Sequence, residues 1–294
     1  MNVSFIINST RKLSLFAQEV IALVAESNDL QGTTYHTKHP KHAIEIAKEV
    51  ASNSDLIVAI GGDGTFNEVI NGIELAKGSK TKFAVIPNGT GNDFSVSLSI
   101  KTPQEFISKI RNNSFEPIDI GIVEVDSKKL PFLNVADIGF GAKVVELLNR
   151  QRAKGLGGKF SYAIAILRTF FLHKKAHIEI KGNDFEFKGK FLMVAFCNGS
   201  TFGHGLVINP HAKINSNQLN LTIIGDVSIV TYLLNLNRLK KGIPINHPKV
   251  HYYEAENTSI KIVGEKQWVE GDGELLGSDV KSIYIKPNAI ELLI

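Results

Sequence analysis

The chain has 294 residues, of which 43% are hydrophobic and 21% are charged. These values exclude a disordered or low-complexity chain, and the length suits one large domain or two of ordinary size. Its 33 lysines and arginines exceed its 29 acidic residues by only four, so the net charge does not indicate a nucleic-acid partner. The lone cysteine, Cys197, excludes an intramolecular disulfide and favours a reducing, cytoplasmic setting.

The first third of the chain alternates strand-like and helix-like segments. Three mostly apolar segments, at 3–7, 55–60 and 82–86, predict strands, and apolar residues recur at helical spacing at 13–24 and 43–50. Strands separated by helices predict an α/β domain with a parallel sheet, whose ligands bind beyond the carboxyl ends of the strands. We assign residues 1–125 to this domain, with the tail 281–294 as a candidate for its completion.

The pattern changes after about residue 120 to short segments separated by Gly, Asn or Pro. They lie at 177–181, 184–187, 191–197, 219–224, 258–263 and 282–285. This spacing predicts a mainly antiparallel β-sandwich or barrel over residues 126–280, with one helical interruption at 159–174. The longest apolar run, 191–197, is too short to span a bilayer, so we expect any membrane contact to be peripheral.

A glycine-rich turn follows the second predicted strand, with Gly61, Gly62, Asp63, Gly64 and Thr65 in succession. Glycines admit a ligand close to the backbone, and the start of the following helix favours negative charge, so the turn suits a phosphate. A carboxylate at such a site is explained by Mg²⁺ bound to nucleotide phosphates. The alternative is an ordinary strand-to-helix turn in which Asp63 or Thr65 caps the helix.

A second turn of the same kind occupies residues 87–94 and contains Gly89, Thr90, Asn92 and Asp93. Since adjacent parallel strands end at one edge of a sheet, both turns are predicted to face one crevice. Neither turn ends in Gly-Lys-Ser/Thr or matches Gly-x-Gly-x-x-Gly, which disfavours a P-loop enzyme and a standard dinucleotide fold.

Together the two turns resemble the diacylglycerol kinase catalytic domain family, in particular its soluble bacterial lipid kinases. NAD kinases and phosphofructokinases share the Gly-Gly-Asp-Gly element, but the continuation 67–69 and the turn 87–94 select the lipid kinases. Further family elements follow in order at 119–121, 134–142, 158–162, 198–199, 203–205, 210–212 and 272–274. The resemblance implies an N-terminal nucleotide domain, a C-terminal β-sandwich-like domain and an ATP site in the cleft between them.

The resemblance also implies site residues. Glu274 is the candidate general base, and Asp63 is expected to organise Mg²⁺ and the phosphates. Asp93, Asp119 and Asp272 are expected to form a supporting charge network, although each also suits a role in a cap or a turn. Nucleotide binding is assigned to Asn8, Thr10, Gly61, Gly62, Gly64, Thr65, Asn67, Glu68, Gly89, Thr90 and Asn92.

The chain departs from the family in segment 213–219. Many relatives carry an Asp-Gly there that is associated with a structural Mg²⁺, whereas this chain has Asn215, Ser216, Asn217 and Gln218. Neutral groups hold a hard cation weakly, so we predict that this accessory Mg²⁺ site is absent or weak. His204, between two glycines and without a nucleophile or carboxylate at a telling spacing, is predicted to serve loop geometry.

Residues 150–190 contain ten Lys or Arg and three Asp or Glu, a local balance of +7. Apolar residues form one helical face in this segment, flanked by the docking candidates Lys154, Lys159, Lys174 and Lys175. The face consists of Phe160, Ile164, Leu167, Phe171 and Leu172. Such a helix suits docking on an anionic membrane, and the alternative is a helix packed on its own domain.

The leading interpretation is an ATP- and Mg²⁺-dependent lipid kinase. It is expected to transfer the γ-phosphate to a hydroxyl of a diacylglycerol-like lipid, phosphatidylglycerol or a related lipid. Its partners are expected to be ATP and a lipid at the inner face of the membrane, with a homodimer as a further candidate. The alternatives are an NAD kinase-like enzyme with a soluble acceptor and a nucleotide-binding regulator without turnover.

Overall fold

The computed structural model describes residues 1–89, 91–98, 100–153, 161–173, 176–203 and 205–294. They divide into two compact units, residues 1–120 with 287–294 and residues 121–286. Both borders fall inside strands, namely β5 (Phe115–Val125) and β17 (Val280–Leu293). The borders expected at 125 and 280 lie a few residues away, because a change of composition does not mark a point inside a continuous strand.

The first unit alternates strands and helices. Its strands are β1 (Asn2–Ile7), β2 (Gln31–His36), β3 (Leu56–Gly61) and β4 (Lys82–Pro87). Its helices are α1 (Leu15–Ala25), α2 (His42–Val50), α3 (Asp63–Leu75) and α4 (Pro103–Arg111), and a short 3₁₀ helix covers Phe94–Ser97.

These four strands form a parallel sheet in the order β4-β3-β1-β2. The chain passes from β1 to the neighbouring β2 through α1 and then crosses back over β1 to β3 through α2. Since such crossovers are right-handed, α1 and α2 lie on opposite faces of the sheet. The reversal falls between β1 and β3, and α/β sheets bind ligands beyond the strand ends at such a point.

The sheet is covered on both faces. Every residue of β3 is buried, which explains its continuous apolar sequence. On one face, Phe5 and Val58 pack with Val20 of α1 and Phe106 of α4. The edge strand β2 is mostly exposed and polar, and the hydrophobic pattern did not predict it.

The second unit contains three helices within the described residues: α5 (Phe140–Ala153), α6 (Ser161–Leu172) and α7 (Ile229–Lys240). Its first strands are β6 (Lys128–Phe132), β7 (Val135–Gly139), β8 (Ala176–Lys181), β9 (Glu186–Cys197), β10 (Thr201–Phe202) and β11 (Leu206–Val207). They are followed by β12 (Leu219–Gly225), β13 (Val250–Ala255), β14 (Asn257–Val263), β15 (Val269–Gly271) and β16 (Glu274–Gly277).

The central strand β9 pairs antiparallel with β7, β8 and β12, and the pairing continues to β13, β14, β15 and β16. Val194 and Phe196 face an apolar core between the strands, and Met193 and Cys197 face a second core that α5, α6 and α7 cover. This burial raises the pKa of the Cys197 thiol, which packs as a small hydrophobe. The second unit is therefore an antiparallel β-sandwich, as its strand spacing predicted.

Two sequence-based expectations were wrong in this unit. The single helical interruption corresponds to α6, but α5 and α7 are helices as well. The segments 184–187 and 191–197 were expected as separate strands, whereas β9 runs without a break from Glu186 to Cys197. Gly189 stays in register opposite Ile178, so this glycine does not end the strand.

The part of the chain that the structure describes includes no helix that is long and apolar enough to cross a membrane.

Candidate functional site

The two glycine-rich turns lie where the crossovers predict a ligand site. The first turn follows β3 and leads into α3, and the second follows β4. Since β3 is the neighbour of both β1 and β4, three strand ends meet at this edge of the sheet. The pairing that the sequence predicted for the two turns is therefore present in the first unit.

Backbone contact joins the two turns. A Cβ atom built on Gly89 would lie 2.6 Å from the Cα of Gly62, and one on Gly62 would lie 3.3 Å from the Cα of Gly89. Real side chains do not reach the first of these distances, so Gly89 must lack one for the turns to meet. The Asn92 side chain closes the second turn, since its Oδ1 accepts from the Gly89 amide at 3.1 Å.

Asp63 links the turns a second time. Its two carboxylate oxygens accept from the backbone amides of Asp93 and Phe94, each at 3.0 Å. The carboxylate thus holds the start of the 3₁₀ helix of the second turn against the start of α3. This role is more specific than the helix cap considered as the alternative, because Asp63 caps a segment 30 residues further along the chain.

The segment after β1 is tied to the same place. Asn8 donates from Nδ2 to Oγ1 of Thr65 at 2.9 Å, and its Oδ1 accepts from the amide and the hydroxyl of Thr10. Asn88 holds the loop before α1, because its Oδ1 accepts from the Ser14 amide at 3.0 Å. The sequence analysis did not single out Asn88, although its place beside Gly89 was a signal.

The start of α3 presents backbone donors at this edge. Gly62 precedes the helix, and its carbonyl accepts from Thr65 and Phe66. The helix itself offers no acceptor to the amides of Asp63 and Gly64, which stand at its positive end. A Cβ on Gly64 would meet no atom within 4 Å, so the backbone is open there. This is the geometry of an anion site.

Two residues assigned to nucleotide binding have other contacts. Glu68 points to the start of α2, where its carboxylate oxygens accept from the amides of Lys41 and Ala43 at 3.0 and 3.3 Å. Asn67 is buried, and its Oδ1 accepts from Asn71 on the next turn of α3. The structure therefore places these two side chains on the packing of α2 and α3, and their assignment to the nucleotide stays a prediction.

The first unit also contains Asp119, which was predicted to belong to the supporting charge network. Its side chain is fully buried, and its Oδ1 accepts from the amide of Asn288 at 2.9 Å. Asp119 thus anchors the returning tail, where Asn288 adopts a left-handed backbone with φ of 48°. Thr90 of the second turn lies outside the described residues.

In the second unit, Asp272 and Gly273 form the two-residue turn between β15 and β16, with φ of 50° and 85°. Positive φ at both positions is typical of a type I′ hairpin, as the alternative interpretation of this pair held. The Asp272 carboxylate also accepts from the amides of Leu133, Asn134 and Val135 at 2.7 to 3.2 Å. Glu274 directly follows the turn and is exposed.

A buried acid pair that the sequence analysis missed supports this hairpin. Asp137 of β7 and Glu270 of β15 lie directly opposite each other, and both are buried. Burial raises the pKa of Asp137 to about 6, against the lowering effect of its hydrogen bonds from Glu270 and the backbone. Burial, and then the nearby Asp137, raise the pKa of Glu270 well above its usual range.

The physical consequence is that the pair shares a proton. Asp137 Oδ1 accepts from the Ala142 amide at 3.1 Å, Oδ2 is buried without a hydrogen-bond partner, and the Glu270 carboxyl lies within hydrogen-bonding reach of the Asp137 carboxyl. The second carboxyl oxygen of Glu270 accepts from the Gly273 amide at 2.8 Å. An aspartate inside the apolar run 135–138 was the signal that could have revealed the pair.

The oxygen donors at the first turn fit Mg²⁺. A carboxylate has about four lone-pair sites, and the two amides occupy two of those of Asp63, so a position remains on each oxygen. Hard oxygen ligands of this kind, one or two carboxylates with phosphate and water, suit Mg²⁺.

Segment 213–219 offers neutral side-chain oxygens and no carboxylate, unlike the first turn. Its turn is closed by Ser216, which donates to the Lys213 carbonyl at 3.0 Å, and Asn217 adopts a φ of 61°. The prediction that an accessory metal binds weakly there stays a prediction.

Within the described ranges, His39, His42 and Glu45 bring three possible metal ligands within 4.8 Å of one another. His42 Nδ1, however, accepts from the Lys38 amide at 3.0 Å, so the neutral ring carries its proton on Nε2 and has no second lone pair to offer. Only His39 is oriented as an imidazole ligand, with Nδ1 beside the Pro40 carbonyl at 3.0 Å.

The predicted docking lysines Lys154, Lys159, Lys174 and Lys175 lie outside the described residues, as do Phe160 and His204.

Comparisons with known proteins cover both units. Residues 2–123 match the family described as "Diacylglycerol kinase catalytic domain", and residues 134–294 match the "YegS C-terminal NAD kinase beta sandwich-like domain". The "Probable lipid kinase YegS-like" of Klebsiella pneumoniae is 33% identical over 186 residues, which cover 62% of this chain and 60% of that protein. The chain thus matches about three fifths of the length of this relative.

Two further comparisons extend over nearly the whole chain. The "Diacylglycerol kinase" of Staphylococcus saprophyticus is 28% identical over 276 residues, which cover 92% of this chain and 88% of that protein. The crystal structure of a diacylglycerol kinase from Bacillus anthracis has a TM-score of 0.72 at 20% identity and covers 99% of this chain and 96% of that one. This second likeness is one of fold.

Proposed function

The chain belongs to the diacylglycerol kinase catalytic domain family, and from that membership we propose that it is an ATP- and Mg²⁺-dependent lipid kinase. The resemblance inferred from the two turns is thereby confirmed at the level of the family. The proposed acceptor is a hydroxyl of a diacylglycerol-like lipid, in keeping with the names of the relatives. Phosphatidylglycerol and related lipids remain acceptors of the same chemical class.

One observation carries the proposal. Asp63 and the Gly62–Gly89 contact join two glycine-rich turns at the carboxyl ends of neighbouring strands, beside the start of α3. Phosphates suit this place, because open backbone amides and the positive end of a helix attract anions. Asn8 and Thr65, hydrogen-bonded to each other, add a hydroxyl and an amide at the same edge.

Mg²⁺ is proposed to bind at Asp63, with Asp93 in the adjoining turn as a supporting carboxylate. When bound, the ion neutralises the charge that develops on the transferred phosphoryl group. The chain's own contribution is to hold the phosphates in place by the amides of the turns. It also keeps Asp63 fixed in one orientation through its two hydrogen bonds.

Glu274 is proposed as the general base that takes the proton from the acceptor hydroxyl. It is exposed and therefore accessible to an acceptor, and it stands at the end of a tightly held turn. Asp272 and Glu270 fix that turn from two sides through backbone amides. A base held in this way needs little reorientation before it accepts a proton, which favours catalysis.

The test is transfer of labelled phosphate from ATP in the presence of Mg²⁺, with lipids in mixed micelles. The acceptors are diacylglycerol, phosphatidylglycerol, ceramide, sphingosine and NAD. A labelled lipid supports the proposal and identifies the acceptor. Label on NAD alone would assign the chain to a soluble acceptor, and ATP binding without any product would favour a regulator.

The role of the base is tested by Glu274→Gln. This change removes the proton acceptor and keeps the size of the side chain, so we expect turnover to fall by at least about a hundredfold while ATP binding persists. The matched control is Glu254→Gln at an exposed position of β13, which should keep full turnover. Full activity of Glu274→Gln would remove the role assigned to this residue.

A further inference from the structure

Helix α6 turns large apolar side chains to solvent. Phe171 is 82% exposed, and Ile164, Leu167 and Leu172 are exposed by about half. Ala165 and Thr169, which are one turn apart on the same helix, are fully buried. The helix therefore packs on its unit by one side, as the second alternative for this segment held, and leaves another apolar side uncovered.

Helix α7 does the same. Leu234 is 76% exposed, and Val230 and Leu233 are also exposed. The two helices meet at the core, where the rings of Phe170 and Tyr232 lie 5.4 Å apart. We name the exposed apolar residues of the two contacting helices together the α6/α7 surface; they are Ile164, Leu167, Phe171, Leu172, Val230, Leu233 and Leu234.

The two sequence segments that include these helices contain basic residues and no acidic ones. Residues 147–178, which include α6, contain seven Lys or Arg and no Asp or Glu. Residues 227–253, which include α7, contain four Lys or Arg and no Asp or Glu. None of the chain's 29 acidic residues falls in either segment, and the exposed Arg168 and Arg238 lie on α6 and α7 themselves.

We propose that the α6/α7 surface docks on a lipid bilayer with anionic head groups. This inference rests on the proposed function, for which it names the surface that brings the enzyme to its acceptor. Helices that lie on membranes combine an apolar side with Lys and Arg and bind through buried apolar area and attraction to anionic lipids. A second copy of the chain fits this surface poorly, because its basic surroundings would face one another.

The test uses the full chain and vesicles of phosphatidylcholine, with and without about one third phosphatidylglycerol. The double variant Phe171→Ser with Leu234→Ser removes two side chains that are already exposed, so folding should be preserved. We expect the wild-type chain to sediment with anionic vesicles and the variant to bind them at least about tenfold more weakly. The matched control is Leu15→Ser, since Leu15 is 81% exposed on α1 of the other unit.

A second readout separates this proposal from the proposed function. Phosphate transfer to a short-chain diacylglycerol dispersed in solution should be the same for the double variant and the wild type, because no docking is needed. Vesicle binding that is lost in the variant supports docking even if no lipid is phosphorylated. Equal vesicle binding by the variant and the wild type overturns the proposal. The proposal is also overturned if the wild-type chain forms a dimer and does not bind vesicles, while the double variant is a monomer.

Discussion

The buried pair of Asp137 and Glu270 is expected to make the stability of the fold depend on pH. Replacing Asp137 by Asn keeps an oxygen for the Ala142 amide and places an NH₂ group opposite Glu270, where the shared proton was. Glu270 then faces a donor instead of a second acid. The variant should therefore fold normally, and its free energy of unfolding should depend less on pH than that of the wild type.

The size of the effect follows from the raised pKa of Asp137. It moves from 3.8 to about 6 through burial, a rise of about two units, and each unit corresponds to about 1.4 kcal/mol. Because the folded-state pKa is above the unfolded one, the contribution is complete below about pH 4 and is lost as pH rises through about 6. The total loss is about 3 kcal/mol, of which roughly 2 falls between pH 4 and 7.

The assay is urea unfolding between pH 4 and 8, followed by the fluorescence of Trp268, the single tryptophan, which adjoins β15. We expect the free energy of unfolding of Asp137→Asn to rise relative to the wild type by roughly 2 kcal/mol from pH 4 to 7. Asp184→Asn, at an exposed loop position, should show no such change. A constant difference between Asp137→Asn and the wild type across this range would refute the shared proton.

Two further predictions concern the turns. Gly89→Ala places a Cβ 2.6 Å from the Cα of Gly62, so it should separate the two turns and weaken binding of a fluorescent ATP analogue at least about tenfold. Gly64→Ala is the control, since a Cβ there meets open space, and it should be as stable as the wild type in urea. Asp272→Asn retains a residue that tolerates the left-handed turn. The new side chain has one acceptor oxygen instead of two, so at least one of the three backbone amides at 133–135 loses its acceptor, and the urea midpoint should drop by an amount equivalent to about 1–3 kcal/mol. The same change at Asp184 is the control, and an unchanged midpoint for Asp272→Asn would show that these hydrogen bonds contribute nothing.

The sequence predicted most of the first unit because its central strands are buried on both faces. The run 56–60 is apolar throughout, and the turn that follows it carries recognisable residues. The edge strand β2 has the sequence Gln-Gly-Thr-Thr-Tyr-His and is exposed at almost every position. Its sequence therefore does not alternate between apolar and polar residues, which is the pattern that predicts a strand. Helix α7 was not predicted for a related reason, because its leucines lie on both the buried and the exposed side of the helix.

Local sequence patterns single out the candidate site residues but not the contacts between them. The residue types and their order marked Asp63, Asp272 and Glu274. That Asp63 holds the amides of the second turn, and that Asp272 holds amides almost 140 residues away, depends on tertiary contacts that no local pattern contains. The pair of Asp137 and Glu270 was missed because each acid is isolated in sequence, and their proximity arises only from the pairing of β7 with β15.

The placement of the tail has a consequence for synthesis on the ribosome. The first unit includes residues 287–294, which emerge only after all of 121–286 have been made. Asn288 bonds to Asp119, and Leu292 lies in the sheet opposite Phe83. At about 5–20 residues per second, the nascent N-terminal unit waits roughly 10–30 s for its final strand. During that time the edge of β4 that this strand later covers is available to chaperones.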